Sequence, residues 1–217
     1  MAHIYNFNIE KFFIEHIKNK PKLILIAGTN GVNKTVFAFH LALEALKHNR
    51  KVIINSLEMN VIDIQHKLFA TKKNISFEEI DKTFQLNNKY SVNEKMKMNL
   101  NYYDKGEIAF LSNENDVNVV LNDIENFIGK NPDTCLIILD SLELYSTQDK
   151  NNFLEKLKLI SVEYNLSVLI LSQLKQSYDG KNDLMPMNNL KFEFIDLYVF
   201  LSKTNNKINI TIHKDEQ

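Results

Sequence analysis

The chain has 217 residues, 44% of them hydrophobic and 24% charged, with 26 basic and 27 acidic side chains for a formal charge of −1. A domain of that length buries roughly 70% of its unfolded surface, so it needs neither a metal nor a disulfide staple, and near-neutrality excludes a surface built wholly to coat nucleic acid. A local basic groove remains compatible with the total.

The single cysteine, Cys135, cannot close an internal bridge; it fits a reducing compartment and a buried strand, because it heads the apolar run Leu136-Ile137-Ile138-Leu139. No apolar run approaches the roughly 20 residues of a membrane span, and no basic segment followed by an apolar one opens the chain, so a cytoplasmic protein without a membrane partner is expected. Every basic residue except Arg50 is lysine, and asparagine is frequent.

In chain order, Ile9, Phe12, Phe13 and Ile17 have helix spacing and predict a short helix within residues 1–20, read as packing on its own sheet rather than as an arm for a neighbouring subunit or membrane. Continuous apolar runs follow at 23–27, 51–55, 136–139 and 167–171, the pattern of strands buried on both faces. Between them, Val36, Phe39, Leu43 and Leu46 repeat at helical spacing. Ser91-Val92-Asn93-Glu94 reads as a capping box, and Val117, Val120, Leu121, Ile124 and Ile128 form a stripe closed by Gly129. The segments 195–201 and 207–213, joined by Thr204-Asn205-Asn206, predict an edge hairpin. The alternation implies one α/β domain over 1–217, with a mostly parallel sheet, helices on both faces and ligands at the carboxyl ends of its strands.

Directly after the first strand stands Gly28-Thr29-Asn30-Gly31-Val32-Asn33-Lys34-Thr35, opening a helix as a phosphate-binding P-loop does. In that device backbone N–H groups and the helix N-terminus surround the phosphates of ATP, Lys34 reaches the β and γ oxygens, and the Thr35 hydroxyl holds Mg²⁺. Asn33 stands where the pattern wants glycine. If the loop needs a positive φ there, asparagine supplies it at a strain on the order of 1 kcal/mol; if it needs close approach, the Asn33 Cβ crowds the nucleotide.

Three further strand ends carry chemistry. Asp140 closes the third apolar run, where a carboxylate orients the Mg²⁺ shell or else caps the next helix. Glu58, in Ser56-Leu57-Glu58-Met59, reads as a general base for the water beside the γ-phosphate or as a solvated cap. Gln173, in Leu171-Ser172-Gln173-Leu174, reads as a γ-phosphate sensor or as a polar cap.

Taken together, the P-loop, Ser56 to Met59, Leu136 to Leu144 with Asp140, Asn165 to Leu174 and Asp196 to Leu201 resemble the RecA-like motor domain of DnaB-type replicative helicases, from about residue 20 onward. The resemblance implies a RecA-like fold, ATP and Mg²⁺ as ligands, Glu58 as catalytic base, Asp140 serving the metal and Gln173 sensing the γ-phosphate. It also implies an arginine donated to a neighbour's site, for which the final strands offer only lysines such as Lys203 and Lys214. The DNA-facing loop after Gln173 carries Lys175, Lys181 and Lys191. The family's N-terminal domain and linker helix fall outside these residues. The expectation is therefore a DnaB-like ATPase linked to replication, slow or conditional in turnover, with weak single-stranded DNA binding and a monomeric or small oligomeric state. The alternatives are a non-catalytic protein contacting a helicase or another replication factor, and an ATP-driven switch without a nucleic-acid role.

Overall fold

A computed structural model describes residues 7–18, 20–74, 107–111, 114–147, 149–174, 192–205 and 207–214. These form α1 (Ile9–His16), β1 (Lys22–Gly28), α2 (Lys34–Lys47), β2 (Lys51–Ser56), α3 (Val61–Lys73), β3 (Ile108–Phe110), α4 (Val117–Lys130), β4 (Thr134–Asp140), α5 (Lys150–Glu163), β5 (Ser167–Gln173), β6 (Leu197–Thr204) and β7 (Lys207–Lys214), with single 3₁₀ turns at Leu142–Leu144 and Phe192–Phe194. The strands make one sheet in the order β3-β2-β4-β5-β1-β6-β7. All neighbours are parallel except β6 and β7, which form the expected edge hairpin.

The apolar runs are continuous because the sheet is covered on both sides. Ile24, Ile26, Val52, Ile54, Leu136 and Ile138 face a core with α1, α2 and α3. Their alternating neighbours Leu23, Leu25, Ile53, Ile137 and Leu139 face a second core with α4 and α5. Residues of α1 belong to the first core: Phe12 and Phe13 are buried, Phe12 packs edge-on to Phe37 of α2, and Phe13 stacks on His48 with centroids 5.2 Å apart. The helix starts at Asn8, whose side chain accepts the Lys11 N–H at 2.8 Å.

Helix ends are written in asparagine. Among the described residues every non-glycine with positive φ is an asparagine: Asn33, Asn49, Asn74, Asn165 and Asn205. These sit before α2, after α2, α3 and α5, and in the hairpin turn. Asparagine tolerates the left-handed region because its short polar side chain can bond locally, so a chain with only five glycines can still end its helices.

Two readings of the sequence change. Gly129 does not close α4, which continues to Lys130; its last turn is capped at Asn131, whose N–H bonds the Ile128 carbonyl at 2.9 Å. The edge strand β3, a short apolar stretch Ile108-Ala109-Phe110 outside the expected strands, is only half-buried and pairs with Val52 to Ile54 alone. The capping box at 91–94 lies outside the described residues.

Candidate nucleotide site

The chain leaves β1 at the middle of the sheet and enters β2 beyond β5 and β4, so a crevice opens at the carboxyl ends of these strands. Register aligns those ends: Gly28 lies opposite Gln173, and Ser56 opposite Asp140. Gly28 is required for packing, since a Cβ there would stand 2.6 Å from the Leu201 carbonyl oxygen and 2.7 Å from Val32 Cγ2. Gly31 is required for conformation, with φ of 76°.

Asn33 has φ 62° and ψ 38°, a left-handed residue immediately before the first turn of α2. Of its two readings, the backbone conformation is the property it supplies. The turn it makes sends α2 away with its first N–H groups facing the loop, an arrangement that favours an anion. Val32 is buried beneath the loop, while Thr29, Asn30 and Gly31 form its rim, Asn30 and Gly31 being exposed.

Lys34 turns back over this loop. Its Nζ donates to the carbonyls of Gly28 at 3.0 Å and Thr29 at 3.3 Å. Burial holds its pKa below the ordinary lysine value, opposed by the charges of Glu58, Asp140 and Glu143. The Thr35 hydroxyl donates to Asp140 Oδ2 at 3.0 Å, bringing together the two oxygens assigned to the metal. Asp140 is 3% exposed, and its carboxyl is pushed up to about 6, first by burial and then by the charge of Glu58, against the Thr35 hydrogen bond and Lys34. The lysine beside it does not outweigh that cost. Two hard oxygen donors fit Mg²⁺ carried in on phosphate rather than a protein cage, and among the described residues no group of three or more His, Cys, Asp or Glu side chains comes together.

Glu58 is exposed just past β2, and its Oε1 accepts the Ser141 hydroxyl at 3.1 Å. The turn that carries it is held by Leu57 N–H to the Asp140 carbonyl at 2.7 Å and Met59 N–H to Ser56 Oγ at 3.3 Å. Gln173 ends β5 with its side chain exposed. Sequence reasoning missed Glu143, whose Oε1 accepts both Ser172 Oγ at 2.6 Å and the Gln173 N–H at 3.0 Å. Its spacing three residues after Asp140 was the one available signal.

The lysines are dispersed. Lys203 is exposed near the end of β6, on the P-loop side of the sheet, whereas Lys214 pairs by register with Leu197 at the other end of that strand. Lys175, Lys181 and Lys191 lie outside the described residues. Arg50 stands before β2, with its guanidinium beside Cys135 at the start of β4, opposite the nucleotide end. Burial pushes the Cys135 thiol up to about 11, an inert core group.

Comparison with known proteins agrees with this fold. A solved ATPase domain superposes with a TM-score of 0.72 at 21% identity, over 98% of this chain and 84% of that one. A DnaB-like replicative helicase solved for its interactions with primase gives 0.65 at 20% identity, over 89% of this chain and 54% of that one. At these identities the likeness is one of fold, and the fold is RecA-like. In sequence, a probable replicative DNA helicase of Guillardia theta is 26% identical over 81% of this chain and 31% of its own length. The replicative DNA helicase DnaB of Buchnera aphidicola (subsp. Acyrthosiphon pisum) is 28% identical over 78% and 39% respectively. The chain thus spans about a third of the length of these curated relatives. The model of the DnaB-like helicase C-terminal domain matches residues 17–191, most of the chain, and the protein belongs to that family.

Proposed function

We propose that the chain is a Mg²⁺-dependent ATP-binding domain that hydrolyses ATP slowly, or only under conditions such as a bound partner, in DNA replication. The observation that carries this reading is the left-handed Asn33, which lets the loop keep Lys34 and Thr35 in place with Thr35 3.0 Å from Asp140. On binding, Lys34 exchanges its two carbonyl acceptors for phosphate oxygens. Thr35 and Asp140 would hold Mg²⁺, which would supply charge neutralisation to the phosphates. Glu58, oriented by Ser141, takes the proton of the attacking water, and Gln173 donates to the γ-phosphate. The relatives are replicative helicases, which supports a role at DNA; the buried thiol of Cys135 fits a reducing cytoplasmic setting.

Lys34→Ala should abolish Mg·ATP binding in calorimetry, and unchanged affinity would remove the P-loop from the mechanism. Glu58→Gln should keep ATP while losing turnover, because the amide preserves shape without the base. A mutant as fast as the parent excludes Glu58.

One observation favours the second reading, a non-catalytic partner of a helicase or another replication factor. The only arginine, Arg50, sits beside Cys135, and the final strands offer only lysines where a finger would stand, a group that contributes about 10³ to 10⁵ in rate in P-loop enzymes. A parent protein that binds Mg·ATP with no turnover, with or without single-stranded DNA, would establish that reading.

A further inference from the structure

Gln173 is exposed, and an exposed amide reads a phosphate only if its backbone is held. Two contacts hold it. The Leu174 N–H donates to the Gly28 carbonyl at 3.1 Å, and the Gln173 N–H donates to Glu143 Oε1 at 3.0 Å. The same Glu143 oxygen takes the Ser172 hydroxyl at 2.6 Å, so one carboxylate grips two successive residues at the end of β5. Glu143 is itself seated by the turn after β4, where Lys150 Nζ donates to the Leu142 carbonyl at 2.7 Å and reaches that of Glu143 at 3.5 Å.

Its other oxygen, Oε2, is buried without a hydrogen-bond partner among the described residues, and its charge acts on Lys34. The Gly28 carbonyl that receives Leu174 also receives Lys34 Nζ, at 3.0 Å. Glu143 therefore belongs to a short circuit running Lys34, Gly28, Leu174, Gln173, Glu143 and, through its field, back to Lys34. Nothing in the assigned roles of Asp140, Glu58 and Thr35 uses it.

We infer that Glu143 is a positioning residue for the γ-phosphate response: by holding the Ser172 hydroxyl and the Gln173 N–H, it makes the protein distinguish ATP from ADP. The inference rests on the nucleotide-site reading. It acts through Gln173 and touches no substrate, so its signature is a change in discrimination rather than a loss of nucleotide. A hydrogen bond to a charged group, once removed, changes an equilibrium by about tenfold or more.

The test is calorimetric affinity for Mg·ATP and Mg·ADP on the whole chain. Glu143→Ala should leave ADP affinity within about threefold of the parent while lowering the ATP-to-ADP ratio about tenfold. Glu143→Gln, which keeps an acceptor oxygen in the same place, should restore that ratio. Ser172→Ala, which spares the Gln173 N–H contact, serves if Glu143→Ala fails to fold, and should give an intermediate ratio. An unchanged ratio in Glu143→Ala, or in Ser172→Ala where that variant stands in, overturns the inference; so does an equal loss of both nucleotides, which marks a merely structural residue. Lys34→Ala separates the two readings: if it still binds nucleotide, the site itself is misassigned. If it does not, an unchanged ratio at Glu143 refutes only the clamp.

Discussion

Asn33 is where backbone conformation bears most directly on the proposed nucleotide site. A left-handed residue costs little as asparagine and nothing as glycine, so Asn33→Gly should leave Mg·ATP affinity within about threefold. Asn33→Ala should cost about 1 kcal/mol of stability and weaken ATP, read by denaturant melts and calorimetry. A large gain in affinity for Asn33→Gly would show instead that its Cβ crowds the phosphates. Asp140 adds a pH dependence. Its folded pKa, about 6 against an ordinary 3.8, means that the native state holds the proton more tightly than the unfolded chain does. That stabilisation is full below the unfolded value and is lost as pH rises through about 6, a cost of about 1 to 3 kcal/mol at neutral pH. In Mg²⁺-free buffer Asp140→Asn should therefore melt higher than the parent at pH 7.5, with the difference vanishing near pH 4, while Mg·ATP binding is impaired. A lower melting temperature at pH 7.5 would contradict a charge held there at a cost. The place of Asp140 at a strand end was legible in the residues around it. The grip of Glu143 was not, because a carboxylate on a one-turn helix has no period to betray which strand it faces.

At the scale of elements, the separation of β1 from β6 is set by the missing side chain of Gly28. Gly28→Ala must push the Leu201 carbonyl outward or displace Val32, and should cost about 1 to 3 kcal/mol, seen as a lower denaturation midpoint. A variant as stable as the parent would mean that the edge hairpin β6–β7 slides freely. The strands of the central sheet were visible in sequence because burial on both faces leaves a continuous apolar run, as at Leu136 to Leu139. The half-buried β3 leaves only the short run Ile108 to Leu111, and forms where Val52 to Ile54 present an open edge. Helix ends were misjudged where glycine was taken as the stop signal: Gly129 lies inside α4, whereas Asn74 and Asn165 carry the positive φ at the ends of α3 and α5.

For the molecule as a whole, the question is whether the site is complete within one chain. Lys34, Thr35, Glu58, Asp140 and Gln173 converge from four strand ends of a single sheet, while Arg50 is turned to the opposite end. Any turnover per molecule should therefore stay constant as protein concentration is raised, and light scattering with Mg·ATP should report a monomer or small oligomer. Specific activity that climbs with concentration, together with a ring that unwinds a forked duplex, would show that a neighbour supplies what this chain lacks. Lys203→Arg offers a finer measure: if lysine is a weak finger, guanidinium should accelerate turnover about tenfold or more, since its planar fork spans two phosphate oxygens.

The posture of Lys34 has a kinetic consequence. With its ammonium seated on the carbonyls of Gly28 and Thr29, the loop already contains an internal competitor for the cation that phosphate needs. Nucleotide entry is then an exchange of acceptors rather than a simple addition. The reverse holds at the end of a cycle, when the two carbonyls stand ready to reclaim the ammonium as product loosens. If the chain turns over ATP as proposed, the loop would thus help to eject what it has held, and a seat that weakens the grip on ATP would also shorten the stay of ADP.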